Sequence, residues 1–434
     1  MAKAIINWSL ILLHLTSLAV AASVTQNKTA LSSCAASMNG ALPSPISSDF
    51  HFSGQIRRYY IAAEQISWNY VPSGWDNWLG VPIQDSPRAN STGYTASGSL
   101  GTTWQKALYR GYTDATFTEL SPQPAWQGIN GPTLRAEVGD MIEILFLNRL
   151  PNNYATMHSM GLSYNKANDG SLYATSPSPG QESVFMPGDA VAPGECFVYK
   201  WVVNEGSAPT QGQVSHMWAY HSYVSMQEDQ NAGLIGSTIV YAPGMMNDTM
   251  TRHREFVLVY MQYDESDSFM SQTNLELLAG TNVSDGGTDL SSPTPQLNQG
   301  YGNWSIWNPQ LVNLKSSGQL SATQAPTFSA LNGYVCANNA PFEVCVNDPT
   351  IWYVSAFGSN PHVFHMHGNG FVLNGNNYAA ISINDGEMKT LHSNMTAEGQ
   401  WQVICHVDNH LAFGMEDNYI VYPAGQCPLP ALVG

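Results

Sequence analysis

The stretch GQWQVICHVDNHLAFGM, residues 399–415, places a cysteine five residues before a histidine and that histidine five residues before a methionine. A thiolate, an imidazole and a thioether brought together by one loop are soft donors suited to copper, and two imidazoles, one thiolate and a weak axial thioether define the blue-copper electron-transfer site. Cys405, His410 and Met415 supply three of those donors. The second imidazole must come from another strand, and His362 opens HVFHMHG, an H-x-x-H-x-H arrangement. A core thiol and a packing methionine are the plainer readings, but they would not call for histidines at these spacings. Only one imidazole of the triplet can join the cysteine, so His365 and His367 point to a different site. His406 follows Cys405 directly, and neighbouring side chains of a strand face opposite ways. The Cys405–His406 peptide would therefore connect the copper to whatever lies across the strand.

The elements that must hold these residues read as strands. RRYYIAAEQISWNYV, GDMIEILFLNRL, GECFVYKWVV, REFVLVYMQY, TIWYVSAFG and GMEDNYIVY are apolar or alternating runs between turn residues, and long helical periods are scarce. This pattern predicts an all-β fold of sandwich or Greek-key barrel type. The chain also repeats itself. HMWAYHSYVSMQEDQNAGLIGSTIVY, from 216, parallels WQVICHVDNHLAFGMEDNYIVY, from 401, and ATMHSMGLSY, from 155, parallels HVFHMHGNGF, from 362. A length of 434 residues is too great for one ordinary core. Two homologous domains are expected, 23–245 and 246–434. Ser222 stands in the first where Cys405 stands in the second, so only the second can hold a thiolate-bound metal.

Residues 1–22 have the layout of a cleaved secretory signal, with one lysine, a short apolar run and small residues at Ala19 and Ala21. The run is too short and too broken by His14, Thr16 and Ser17 to span a membrane, and no later segment is long and apolar enough to do so. N-x-S/T triplets at Asn27, Asn90, Asn247, Asn282, Asn303 and Asn394 are glycosylation candidates that fit a secreted chain. A formal charge of −17 opposes nucleic acid or an anionic membrane as partner. Six cysteines in an oxidising compartment suggest disulfides, but with Cys405 reserved for metal the count is odd. His51, His253 and His392 are isolated and expected at the surface, and His216 is expected to be structural or exposed.

With these segments in hand the chain resembles the multicopper oxidases, and within them the ceruloplasmin and hephaestin branch. RRYYIAAEQISWNYVPSG, GPTLRAEVGDMIEILFLNRL, YHSYVSMQEDQNAGLIG, REFVLVYMQYDESDSF and FSALNGYV carry the likeness together with the two metal segments. The resemblance implies two cupredoxin-like domains and a type 1 copper at His362, Cys405, His410 and Met415. It also implies a disulfide between Cys345 and Cys427, leaving Cys34, Cys196 and Cys336 unassigned.

The family's second copper centre uses eight histidines, and here only five of those positions keep one. His158 and His365 match the type 2 copper ligands. His221 and His406, with Met160 in a histidine's place, match one type 3 ion. The other keeps His367 alone, facing Tyr223 and Ile404. One type 1 copper and one or two further ions are therefore expected. Ferroxidases of the branch hold iron where Gln324, Ser329 and Asn409 stand here, none of them ionisable at neutral pH. An organic donor, most simply a phenol, and dioxygen are the expected substrates. An electron carrier without oxygen chemistry and a ferroxidase are the alternatives. Two-domain relatives assemble the second centre between chains, which implies a homotrimer.

Overall fold

A computed structural model of the chain describes residues 28–92, 99–175, 185–279 and 325–428. Asn27, Asn282, Asn303, Gln324 and the leader expected at 1–22 lie outside them.

Among the described residues, four large sheets carry the fold, two in each half, and the four-stranded order of each first-half sheet recurs within its counterpart in the second half. In the first half, Ile56–Asn69 runs antiparallel to Thr103–Tyr112 and parallel to Met141–Asn148, which pairs in turn with Cys196–Val202. In the second half, Arg254–Asp264 runs antiparallel to Thr327–Leu331 and parallel to Pro349–Phe357, which pairs with Met388–Asn394. The companion sheets match as well. Leu134–Glu137, Ile235–Tyr241, Ser215–His221 and His158–Met160 stand in the order later taken by Phe342–Cys345, Glu416–Tyr422, Gly399–Cys405 and His362–Met366. These paired sheets are the all-β architecture that the strand pattern predicts and the cupredoxin-like one that the resemblance implies. Among the described residues, no helix is long and apolar enough to cross a membrane.

Strand composition explains where the cores form. Met141–Asn148 is buried at every position, as its run of Ile, Leu and Phe requires. The one carboxylate in that run, Glu143, is neutralised by Arg58 at 3.0 Å. Separate apolar clusters fill the two halves, and a third joins them: Met217, Ile235 and Tyr241 of the first half pack with Val257, Phe328 and Tyr353 of the second. Each large side chain so buried contributes about 1.5–3 kcal/mol relative to exposure. Buried ion pairs cross the same boundary. Lys106 meets Glu265 at 2.7 Å, and Arg135 meets Glu255 at 2.8 Å.

Cys345 and Cys427 are disulfide-bonded, pinning the segment after the last strand. Cys34 pairs with Cys196, tying the helix Lys28–Ser37 to Cys196–Val202, and Cys336 is buried and outside both disulfides. Two histidines differ from expectation. His253 and His392 are half-buried and line one recess with Tyr378, and His392 is held below the usual imidazole range by burial and by His253. An isolated histidine in sequence reads as a surface residue, but here two distant strands cover the pair. His51 is exposed, and His216 packs edge-on to Trp218. The sequon residues Asn247 and Asn394 are exposed, and Asn90 falls in the short helix Pro87–Thr92.

Candidate metal centre

The antiparallel pairing of His362–Met366 with Gly399–Cys405 positions the site. His362, Phe364 and Met366 point into the core while Val363, His365 and His367 point out of it, which is the two-residue period of a strand. On the facing strand Val403, Ile404 and Cys405 are all buried, and His406, just past its end, is exposed. His410 enters from the short helix Asp408–Ala412, and Met415 stands immediately before the last strand. Backbone bonds close this loop: Met415 N–H donates to the His410 carbonyl at 3.0 Å and Cys405 N–H to the Met415 carbonyl at 2.9 Å.

Four donors converge in that loop. His362 Nδ1 lies 3.2 Å from His410 Nδ1 and 3.2 Å from Met415 Sδ. Cys405 Sγ lies 3.7 Å from His362 Nδ1 and 3.5 Å from His410 Nδ1. Three coplanar donors that each bind one ion at about 2.0–2.3 Å stand about 3.5–4.0 Å apart, so the donor set fits a single ion with little adjustment. The chemistry fits copper, since the set is His2Cys with a thioether. Burial and the neighbouring His410 push His362 down to about 3. Burial also lowers His410 and raises the Cys405 thiol. The imidazoles are thus neutral donors, and the thiol waits for a cation to displace its proton. Val363 N–H points at Cys405 Sγ from 3.5 Å, a contact that favours the thiolate. In the first half the equivalent Ser222 is buried and donates to Asp229 at 2.6 Å. No sulfur donor stands there.

On the outer face, His365, His367 and His406 cluster, with ring centroids 5.1 Å (His365 to His367) and 5.4 Å (His365 to His406) apart. His365 Nδ1 lies 2.7 Å from the Ala379 carbonyl, which places the proton on Nδ1 and leaves Nε2 as the free donor. The first half repeats this device. His158 Nδ1 is bonded to the Asp169 carbonyl at 2.8 Å and to Ser171 at 2.8 Å, and His221 Nδ1 to the Ser222 carbonyl at 2.8 Å. Their rings are 5.4 Å apart, with the Tyr223 ring 5.3 Å from His158 and 5.6 Å from His221. Met160 packs against the cluster that joins the halves, its methyl group over Gly386. Ile404 is buried opposite His365. Among the described residues these two histidine sets do not merge into one ligand group within the chain; His362, Cys405 and His410 do. The orienting residues Asp169, Ser171 and Ala379 escape sequence reasoning because nothing in their spacing links them to a histidine.

Comparison with known proteins agrees with the geometry. Two family models described as multicopper oxidase match residues 126–244 and 306–425, and the chain belongs to the multicopper oxidase family. It is 29% identical to the ferroxidase HEPHL1 of Homo sapiens over 84% of its length, 28% to hephaestin of Mus musculus over 85%, and 28% to ceruloplasmin of Homo sapiens over 84%. The chain spans 29%, 30% and 32% of those proteins. A solved structure, the multicopper oxidase mgLAC, superposes with a TM-score of 0.50 at 12% identity, covering 87% of this chain and 89% of that one.

Proposed function

We propose that the chain is a secreted, copper-dependent oxidoreductase of the multicopper oxidase type, built from two cupredoxin domains that meet near residue 245. A type 1 copper would be held by His362, Cys405, His410 and Met415, and copper there supplies one-electron oxidation of a donor. Further copper would be held by His158 and His365, and by His221, His406 and Met160. The observation that carries this reading is the strand alternation that sends Cys405 inward to the four-donor site and His406 outward to His365 and His367. One peptide bond then links donor oxidation to an oxygen site. Because the two outer histidine sets are separate within the chain, the oxygen site would form between chains, as a head-to-tail ring of three closes.

An organic donor is favoured over iron. Asn409 is neutral and exposed, and Ser329 is buried in a hydrogen bond with Gln262. A cleft of about 470 Å³ between the halves reaches the copper loop at Phe413, lined by Gln227, Gln262, Asn360 and Asp267. That volume is within the usual range for a small-molecule site, about 300–1,000 Å³, and the lining offers one aromatic contact, at Phe413, among many hydrogen-bonding groups, which suits a donor that carries hydroxyls. A second reading, a copper electron carrier without oxygen chemistry, draws on Tyr223 and Ile404 standing at ligand positions.

The test is metal analysis of the purified chain with its visible spectrum and oxygen uptake. An intense band at about 600 nm, lost in Cys405→Ser, is expected of a thiolate–copper site, with oxygen uptake faster on an electron-rich phenol than on Fe(II). A colourless copper-loaded protein would overturn the type 1 assignment. A blue protein without oxygen uptake would favour the carrier, and saturable, faster iron oxidation the ferroxidase.

A further inference from the structure

Next to the axial methionine, Asp76, Cys336 and Glu416 converge within 4.8 Å, all three buried. Arg88 occupies the place a cation would take there. Its guanidinium, only 11% exposed, is ion-paired with Glu416 and lies 3.6 Å from Asp76, which also accepts from Ser86 at 2.7 Å. The guanidinium is further covered by Trp78, whose ring centroid is 4.6 Å away. The guanidinium thus holds the position between the two carboxylates, and the cluster is not itself a metal site.

Its members belong to both halves of the chain, and they close on Met415. Asp76 and Arg88 come from the first half, in the loop that follows Ile56–Asn69. That loop grips a turn of the second half: Asn77 N–H donates to the Cys336 carbonyl at 3.1 Å, Asn77 Nδ2 to the Ala337 carbonyl at 3.0 Å, and Asn338 Nδ2 to the Trp75 carbonyl at 2.9 Å. The turn in turn holds the residues on either side of Met415. Cys336 N–H donates to the Gly414 carbonyl at 2.8 Å and Ala337 N–H to the Glu416 carbonyl at 3.2 Å. Cys336 and Ala337 both adopt left-handed backbone, φ 56° and 53°, a conformation that ordinary residues keep only when surrounding contacts impose it. Gly414 completes the fit, since a Cβ there would meet Cys336 Sγ at 2.7 Å.

We propose that Arg88 is a positioning residue for the axial copper ligand: the loop 71–88 clamps the 336–337 turn and Glu416, and so sets how closely the Met415 thioether approaches the metal. The inference rests on the type 1 reading of the His362, Cys405, His410 and Met415 set. Axial donor strength tunes the potential of a blue site, so a loop of one half would tune the redox centre of the other. Charge alone does not suffice, because the guanidinium bridges two carboxylates in a way a lysine ammonium cannot reproduce.

The test uses the full-length copper-loaded chain, comparing wild type with Arg88→Met, Arg88→Lys and Asn77→Ala, and with Arg58→Met as an ion-pair control outside the clamp. Visible absorption and the midpoint potential of the blue centre are the readouts. Asn77→Ala carries no charge change and should raise the potential, since a more distant thioether stabilises Cu(II) less. Arg88→Met should change the position or intensity ratio of the thiolate bands, Arg88→Lys should fail to restore them, and Arg58→Met should leave them at wild type. Should Arg88→Met not fold, Asn77→Ala, an exposed position, still decides the matter. Blue wild-type protein with unchanged bands and potential in Asn77→Ala and in each Arg88 variant that folds would overturn the inference and leave the copper reading intact. A wild type that binds copper without a blue band would overturn both.

Discussion

Replacing Lys106 with methionine should destabilise the junction of the two halves and, with it, the cleft beside the copper loop. Lys106 and Glu265 are both fully buried. The ammonium donates to Glu265 at 2.7 Å and to the Asn231 carbonyl at 2.6 Å, and it faces the Tyr263 ring at 4.8 Å. Methionine keeps the stem but leaves the carboxylate with the Tyr70 hydroxyl, at 2.6 Å, as its remaining charge-stabilising contact. Breaking one side of a buried pair costs about 3–5 kcal/mol. At about 2–4 °C per kcal/mol for units of this size, the melting temperature should fall by roughly 6–20 °C.

The pH dependence gives this prediction a sign. Burial already raises the Glu265 carboxyl, and losing Lys106 would raise it further. A raised carboxyl pKa means the folded state binds the proton that the unfolded state releases, so stability is present at low pH and is lost as pH rises. The deficit of Lys106→Met should therefore be smaller at pH 5 than at pH 8 in denaturant titrations of copper-free protein. Lys106→Met with Glu265→Leu should recover most of the loss, because no charge then remains buried. A single variant within about 1 kcal/mol of wild type at pH 8, well below the cost of an uncompensated buried charge, would refute the reasoning.

Three further outcomes are expected. Burial pushes His221 down to about 4, so its own contribution to the stability of copper-free protein, read as wild type minus His221→Gln, should fall by about 3 kcal/mol as pH falls from about 6.5 to 4, where only the unfolded chain takes up the proton; a difference that stays flat over that window would contradict the buried, neutral imidazole. Restoring histidine at 160, 223 and 404 together should raise copper content and oxygen uptake, measured by metal analysis and oxygen electrode, whereas any one restoration should do little because a bridged pair needs both ions. Sedimentation should report three chains per particle, and a monomer that retains oxygen uptake would rule out an oxygen site shared between chains.

Much of the site was legible because the chemistry and the strand period coincide. A C-x4-H-x4-M spacing and an H-x-x-H-x-H strand are enough to divide inward donors from outward ones, and the internal repeat separates Ser222 from Cys405 before any coordinates are known. What was not legible depends on contacts distant in sequence. Cys34 finds Cys196 at a separation of 162 residues, with no periodicity between them. His253 and His392 are half-buried only because segments distant in sequence meet there, and nothing in the sequence around Lys106 pairs it with Glu265, 159 residues on. Arg88 lies in a stretch with no motif at all; its role depends on a loop of one half reaching the other.

The same alternation explains why one candidate site is whole and the other reduced. His362, Cys405, His410 and Met415 are at most 2% exposed, so replacing any of them changes the packing of the second half's core, at the cost of a cavity or of a buried group without a partner. The outer set is mixed: His365, His367 and His406 are at least partly exposed, whereas His221 and Ile404 are buried. Tyr223 lies with its ring tilted 31° against that of His221, Met160 fills apolar space between the halves, and Ile404 is buried opposite His365. At each of these three positions the residue present suits the fold of an isolated chain at least as well as a histidine would, since a buried imidazole without a metal or other partner must be desolvated. The inner donors are thus tied to one buried core, while the three non-histidine positions of the outer set are filled by side chains that pack without a metal.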